Sequence, residues 1–434
     1  MKKQFSILAV SIVIAGVALS LIGTALVSQA APQALMARKI VIFQSGVDEL
    51  AKETLVKNFG GEKIKDLSLV NGMAVLLPQK AIEALSGRIE VLRIDNDDIV
   101  FALGKPVCGN GIIEGGEKCG EPGLSDCLEG QVCENCKCAT PEEPAPEQPL
   151  QAMAWGVKRI GANSAWVLST GSGVKVAIID SGIDEDHLDL MDNIKGGYNA
   201  VNPRKSWNDD NGHGTHVAGI VAALDNTIGV VGVAPQAHLY AVKVLNRRGI
   251  GFASDIIDGL QWCIDHEIQV VNMSIGSSGS SQSYHDAIIA AKNVGITIVA
   301  AAGNNGEYDG SIVWPAKWSE TIAVSATNES DGIAYFSSYG EEIDLAAPGQ
   351  DINSTWNDGY YHVGSGTSMA TPHVAGTVAL ILADADLKCD TNLDGTCSPD
   401  EVQARLETTA EWLSGLTSDE QGFGLVDAEA AVIE

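Results

Sequence analysis

The segment that decides the fold reads Val-Ala-Ile-Ile-Asp-Ser-Gly-Ile-Asp over residues 176–184. Its apolar, β-branched start is typical of a strand buried on both faces of a parallel sheet. Comparable apolar runs recur at residues 238–244, 270–274, 297–302 and 321–325. Helix-like segments separate these runs, so the sequence predicts an α/β domain over residues 150–434, with helices on both faces of a mostly parallel sheet.

Two further motifs carry reactive side chains. The segment His-Gly-Thr-His-Val-Ala-Gly places His213 at a predicted helix start, and Gly-Thr-Ser-Met-Ala-Thr-Pro-His places Ser368 at another. A serine hydroxyl is a poor nucleophile until a base takes its proton, and that base needs an acid to fix its tautomer. Asp180 ends the apolar run and supplies the acid. A lipase-type hydrolase is excluded, since it requires the order Ser, acid, His and a Gly-x-Ser-x-Gly turn.

With these motifs in the order Asp, His, Ser, residues 150–434 resemble the subtilisin-like serine proteases, or subtilases. The resemblance implies a three-layer subtilisin-like fold and a secreted endopeptidase of broad specificity. It assigns Asp180 to orienting the base, His213 to general base and acid catalysis, and Ser368 to nucleophilic attack. The alternative is a catalytically silent, calcium-stabilised surface-binding protein, which the intact set of reactive residues disfavours.

Contacts to the substrate follow from the same resemblance. Residues 301–306 match the segment whose Asn donates to the oxyanion, which assigns Asn304 to that role beside the Ser368 backbone N–H. Val313 stands where many relatives have Gly, so we expect it to shorten the first specificity pocket. Two segments are expected to pair with the peptide substrate as a β-sheet. They are Gly249-Ile250-Gly251 and Ser274-Ile275-Gly276.

Calcium is the cofactor that the resemblance implies, and calcium takes oxygen ligands. The main site is expected from Gln151, Asp189, Leu224, Asn226, Ile228 and Val230. Glu342 and Asp344 match a weaker family site, for which an exposed acidic turn is the alternative.

A further segment, residues 390–401, fits the EF-hand loop pattern and is read as an insertion that the family core does not require. Its expected calcium ligands are Asp390, Asn392, Asp394, Thr396, Ser398 and Glu401. A plain acidic turn is the alternative. Cys389 and Cys397 flank and enter this loop, so a disulfide between them could pre-form it.

The N-terminus reads as a targeting segment. Lys2 and Lys3 precede an apolar run over residues 5–27, and small residues follow at the cleavage position. Residues 1–30 are therefore predicted to be a signal peptide of a secreted, extracellular protein. The alternative is an uncleaved anchor, in which case the protein contacts a membrane.

Residues 36–104 alternate strand-like and helix-like patterns in the order βαββαβ, with a hairpin expected around Asn71-Gly72. This predicts a small α+β domain, which resembles the inhibitory pro-segment of subtilases by length and position. In that family the tail of the pro-segment fills the substrate cleft. We therefore predict self-cleavage after Leu103, with a cut inside residues 140–150 as the competing outcome.

Six of the nine cysteines lie within residues 105–140, a segment with little apolar material. Disulfides must supply the stability that a small hydrophobic core cannot. We therefore predict a Cys-rich module with three disulfides of undetermined pairing. Zinc at Cys133, Cys136 and Cys138 is the alternative. Residues 141–149 form a Pro/Glu linker. Cys263 lies in an apolar helical stretch and is expected to be a buried thiol.

The charge of the chain is uneven. Residues 1–105 carry a net charge of +2 and the remainder −31, which gives the overall −29. An acidic surface excludes nucleic acid as a partner, because phosphate binding needs Lys and Arg. The expected partners are protein or peptide substrates and the chain's own pro-segment, and we expect a monomer.

Overall fold

The computed structural model describes residues 35–103, 132–134, 137–139, 148–306 and 311–433. The predicted signal peptide lies outside the described residues, as do most of the linker and most of the Cys-rich module. Residues Met36–Glu434 form one compact unit. No helix of the described residues is long and apolar enough to cross a membrane.

The N-terminal region, residues 36–103, has the element order βαββαβ. Its elements are β1 (Met36–Phe43), α1 (Glu49–Asn58), β2 (Glu62–Leu67), β3 (Gly72–Pro78), α2 (Ile82–Ser86) and β4 (Val91–Asn96), followed by an extended strand β5 (Ile99–Ala102). Strands β1 to β4 form an antiparallel sheet in the order β2-β3-β1-β4. Helix α1 begins where Asp48 accepts a hydrogen bond from the Ala51 N–H at 2.8 Å, which satisfies a donor of the first turn. The short strands β6 (Val132–Glu134) and β7 (Lys137–Ala139) pair with each other.

The larger domain is built on a seven-stranded parallel sheet in the order β16-β15-β14-β12-β8-β10-β9. Its strands are β8 (Lys175–Asp180), β9 (Ile194–Asn199), β10 (His238–Lys243), β12 (Val270–Met273), β14 (Thr297–Ala301), β15 (Ile322–Thr327) and β16 (Leu345–Pro348). Short strands lie outside it: β11 (Ile250–Phe252), β13 (Ile275–Gly276), β17 (Ile352–Thr355) and β18 (Tyr361–Gly364).

Helices cover both faces of this sheet. They are α3 (Trp155–Arg159), α4 (Ala162–Ala165), α5 (His213–Ala222), α6 (Ala253–Asp265), α7 (Gln282–Asn293), α8 (Thr367–Leu382), α9 (Pro399–Thr409), α10 (Ser418–Gln421) and α11 (Ala428–Ile433). Side chains alternate along strand β8: Val176 and Ile178 pack with α5 and α8, whereas Ala177 and Ile179 pack with α6 and α7. The predicted three-layer α/β fold is confirmed.

Candidate active site

Two of the predicted catalytic residues meet where strand β8 ends and helix α5 begins. Asp180 is fully buried, and both of its carboxylate oxygens lie 2.8 Å from Nδ1 of His213. Helix α5 can approach this closely because its second residue is glycine. A β-carbon at Gly214 would lie 2.1 Å from the Gly182 carbonyl oxygen. Because Nδ1 faces the carboxylate, Nε2 is the ring nitrogen that can act as a base.

Ser368, the second residue of helix α8, forms no hydrogen bond with this base among the described residues. Its hydroxyl donates to the carbonyl oxygen of Ser274 at 2.9 Å. In the part of the chain that the structure describes, Nε2 of His213 is buried and has no hydrogen-bond partner. For Ser368 to pass its proton to His213, the Ser368 side chain would first have to rotate.

Asn304 is oriented by a residue that the sequence reasoning missed. Thr367 donates to the Asn304 side-chain oxygen twice, from its N–H at 2.9 Å and from its hydroxyl at 3.0 Å. Both bonds use Oδ1, so the Nδ2 amide is the group that can donate to an oxyanion. Thr367 directly precedes Ser368 in the third motif. That position next to the predicted nucleophile was the only feature of the motif that could have indicated its role.

The end of the N-terminal region occupies the cleft beside Ser368. Strand β5 lies antiparallel between β11 and β13, with Phe101 opposite both Ile250 and Gly276. The Leu103 N–H donates to the Ser274 carbonyl at 3.2 Å, and the Leu103 carbonyl accepts from the Ser368 N–H at 3.3 Å. The two predicted substrate-binding segments thus hold an extended peptide whose last described carbonyl lies at the Ser368 amide.

The Leu103 side chain fills a small pocket. It is 5% exposed and packs against Ala301 and Val313. A β-carbon at Gly276 would lie 2.6 Å from Val313 Cγ2 and 3.0 Å from Leu103 Cδ1. Val313 therefore lies at the wall of the pocket that receives the residue at Ser368, and little free space separates the two side chains.

The residues of the predicted main calcium site are brought together. Asp189 accepts from the Asn226 side-chain amide at 2.7 Å and from the Val230 N–H at 3.0 Å. Gln151 donates to the Leu224 carbonyl at 2.8 Å and to the Val230 carbonyl at 3.4 Å. Ile228, also predicted, donates its N–H to the Asn226 side-chain oxygen at 2.7 Å.

This oxygen-rich group fits a hard cation. Burial raises the pKa of Asp189, and no Lys or Arg of the described residues pairs with it. A divalent cation would supply the missing positive charge and would take the side-chain and carbonyl oxygens as ligands.

The second predicted calcium pair, Glu342 and Asp344, stays a prediction, and the structure describes the surroundings of Asp344. Asp344 accepts from the Ala323 N–H at 2.7 Å and from the Gln403 side chain of helix α9 at 3.2 Å. Burial raises its pKa to about 7, and the nearby Glu407 carboxylate adds to this. No bond within the described residues links Asp344 with Glu342. The helix that follows the EF-hand-like loop covers Asp344, and the sequence alone did not indicate this contact.

In the EF-hand-like loop the carboxylates are turned onto backbone amides. Asp390 accepts from the Gly395 N–H at 2.8 Å, and Glu401 accepts from the Ser398 N–H at 3.0 Å and the Thr391 N–H at 3.1 Å. The hydrogen bonds from Ser398 and Thr391 lower the pKa of Glu401 to about 2. A disulfide joins Cys389 to Cys397, with 5.6 Å between their α-carbons. Among the described residues, no group of three or more His, Cys, Asp or Glu side chains converges to hold a metal ion.

Comparison with known proteins identifies the family. Residues 171–424 match the profile described as "Subtilase family". The chain is 36% identical to Subtilisin E of Bacillus subtilis (strain 168) over 412 residues, 93% of each chain. It is 37% identical to Subtilisin J of Geobacillus stearothermophilus over 391 residues, 89% of this chain and 87% of the relative. It is 44% identical to Subtilisin Savinase of Lederbergia lenta over 282 residues, 65% of this chain and 99% of the relative.

The chain belongs to the subtilase family. It is a serine endopeptidase of the subtilisin type.

Proposed function

We propose that this endopeptidase is made as a self-inhibited precursor that cleaves itself after Leu103, using Asp180, His213 and Ser368 as its triad and Asn304 in its oxyanion hole. One observation carries the proposal: the Leu103 carbonyl oxygen lies 3.3 Å from the Ser368 backbone nitrogen, at the end of a strand paired on both sides. This is the position that the carbonyl of a bond about to be cleaved would take.

The proposed reaction begins when the Ser368 hydroxyl rotates from the Ser274 carbonyl to Nε2 of His213. His213 takes the proton while Ser368 Oγ attacks the Leu103 carbonyl carbon, and Asp180 stabilises the imidazolium. The oxyanion accepts from the Ser368 N–H and the Asn304 side-chain amide. Loss of one such donor costs about 10²–10³ in turnover. His213 then gives its proton to the amine of Gly104 as the peptide bond breaks, and water later hydrolyses the Leu103 ester.

Contacts of the N-terminal region support the proposed self-inhibition. Asp97 accepts from the Ser254 N–H and hydroxyl, both at 2.8 Å, and from Arg38 at 2.5 Å. Asp95 accepts from the Ser283 N–H at 3.0 Å. These two carboxylates therefore lie at the N-terminal turns of helices α6 and α7, where unpaired N–H groups and the helix dipole favour a negative charge.

A lysine adds a second anchor to this surface. Lys65 lies 2.6 Å from Asp255 and 3.3 Å from Asp258, and it also donates to the Ala200 carbonyl at 2.6 Å. Asp255 is buried, so loss of Lys65 would leave a carboxylate without its cation, which is costly in a protein interior. Together these bonds support retention of the N-terminal region after cleavage until it is degraded.

Calcium binding and secretion complete the proposal. The group around Gln151 and Asp189 is the first proposed calcium site, and the disulfide-closed loop at residues 390–401 is the second. Bound calcium would stabilise the folded form alone, because an unfolded chain does not present these ligands together. We further propose that residues 1–30 direct secretion and that protein substrates are cleaved outside the cell.

The test is the variant Ser368→Ala expressed as the full chain. We expect the uncut precursor to accumulate without proteolytic activity, whereas Ser365→Ala should process normally, because the Ser365 hydroxyl bonds to Asp351 instead. Labelling of the wild type by a serine-reactive probe should be lost only in Ser368→Ala. Processing that continues in Ser368→Ala, or a failure of the wild type to label, would favour the catalytically silent alternative or another nucleophile.

A further inference from the structure

A cavity of about 510 Å³ opens beside the loop that leads to His213. Asn199 and Lys243, the last residues of strands β9 and β10, contribute to its wall, as do the loops at residues 202–210 and 246–248. Open parallel sheets bind ligands in crevices outside the carboxyl ends of their strands. The cavity has this location, and neither the triad nor the bound strand β5 uses it.

The wall of this cavity is cationic in an acidic protein. From residue 150 onward the chain has 13 Lys and Arg against 37 Asp and Glu. Four of these cations nevertheless line the cavity, with a single carboxylate, that of Asp210. The four are Lys205, Lys243, Arg247 and Arg248.

Three of these cations have no ion-pair partner among the described residues. Lys243 is buried and lies 2.6 Å from Asp210, so those two charges offset each other. No carboxylate of the described residues forms an ion pair with Lys205, Arg247 or Arg248. Like charges that share a cavity repel each other. An anion bound between them would be attracted by each, so its electrostatic interaction with the cavity would be favourable.

The wall is fixed without using these side chains. Asn246 accepts from the Arg248 N–H at 2.8 Å, and Asn199 donates to the Ser206 carbonyl at 2.6 Å and accepts from the Asn202 N–H at 2.8 Å. Backbone groups and amides therefore shape the cavity. The guanidinium groups remain available to bind a carboxylate or a phosphate group through two parallel hydrogen bonds.

The rim of the cavity is joined to the catalytic cleft. Asn211 donates to the Arg247 carbonyl at 3.0 Å and accepts from the His213 N–H at 3.2 Å. One residue beyond Arg248, the Gly249 carbonyl accepts from the Ala102 N–H at 3.0 Å. The arginine loop thus lies between the histidine loop and the residue that precedes Leu103.

We propose that this cavity binds an oxyanion, a carboxylate or phosphate group. The group is carried either by the polypeptide substrate on the amino-terminal side of the scissile bond or by a free small anion. The inference does not depend on the proposed triad, because binding can be measured in a chain that lacks the nucleophile.

The first arm of the test measures binding in the full-length Ser368→Ala chain. Inorganic phosphate, compared with sodium chloride of equal ionic strength, is expected to raise the melting temperature. Arg247→Gln with Arg248→Gln should remove most of that rise. The matched control, Lys158→Gln with Lys195→Gln, removes two charges that lie on exposed side chains elsewhere and should keep the rise.

The second arm uses the active enzyme and peptide pairs that carry Glu or Gln at the position occupied by Ala102. We expect kcat/KM to favour Glu by about 2- to 5-fold, as one partly exposed ion pair provides. The arginine variant should lose that preference and the lysine control should retain it. A phosphate effect alone assigns the site to a free anion, and a Glu preference alone assigns it to the substrate. If the arginine variant matches the lysine control in both arms, the proposal is wrong.

Discussion

Replacing Val313 by glycine should turn the pocket that holds Leu103 into one that accepts aromatic side chains. Val313 is 6% exposed and packs directly against Leu103. Gly276, which has no side chain, lies beside Val313, and a β-carbon there would be 2.6 Å from Val313 Cγ2. An aromatic ring therefore needs the volume that the two methyl groups of Val313 fill.

The size of the effect follows from this packing. A mismatch of one methylene in an apolar pocket changes kcat/KM by about 10- to 200-fold, or about 1–3 kcal/mol. Val313→Gly removes the whole side chain, and part of the space will be lost to relaxation of the walls. We therefore expect the Phe-to-Leu ratio of kcat/KM to rise by about 10- to 100-fold, or about 1.4–2.8 kcal/mol.

The assay compares two fluorogenic peptides that differ by Leu or Phe before the scissile bond. Wild type should favour Leu, Val313→Ala should give an intermediate ratio, and Val294→Gly, at a mainly exposed position, should leave the ratio unchanged. A wild type that already prefers Phe would contradict a steric role for Val313. So would an equal change of kcat/KM for both peptides in Val313→Gly.

Two further predictions concern inhibition and calcium. Asp97→Ala should weaken binding of the N-terminal region to the larger domain by about 2–4 kcal/mol, because it removes a helix cap and leaves Arg38 without its anion. Proteolytic activity should therefore appear sooner in a processing time course than it does with the control Asp66→Ala. The Asp66 carboxylate is half-exposed and pairs with Lys63. An identical time course for the two variants would contradict this. Removal of calcium by a chelator should lower the melting temperature, and the double variant Asn226→Ala with Asp189→Ala should show a smaller decrease. A melting temperature that changes with neither the chelator nor the mutations would contradict the calcium proposal.

The sequence predicted those site residues whose positions depend on local secondary structure. Asp180, His213 and Ser368 each lie at the end of a strand or the start of a helix, so a short motif carries both the residue and its placement. Val313 was placed through a likeness in a single short segment, and the structure puts it beside Leu103. The orientation of the Ser368 hydroxyl could not be read from the motif, because it depends on the Ser274 carbonyl, 94 residues away.

The hairpin expected around Asn71-Gly72 is present, because β2 and β3 pair antiparallel with Leu67 opposite Gly72. Its connection is longer than a two-residue turn: residues 68–70 form a 3-10 turn, Asn71 is left-handed with φ 49°, and β2 ends at Leu67. The cationic cavity was not predicted, because Lys205 and Arg248 come from separate segments and neither forms a motif with its chain neighbours.

The N-terminal sequence of the active enzyme tests the central claim most directly. If the chain binds its own Leu103 at Ser368 and cleaves there, the first residue of the active form is Gly104, and the segment from residue 104 to 149 stays attached as an N-terminal extension. Sampling from the earliest time of processing separates this first cut from later trimming. A start at or after Pro141 from the earliest sample would show that the predicted Pro/Glu linker is cut instead. The contact between Leu103 and Ser368 would then not be the processing site.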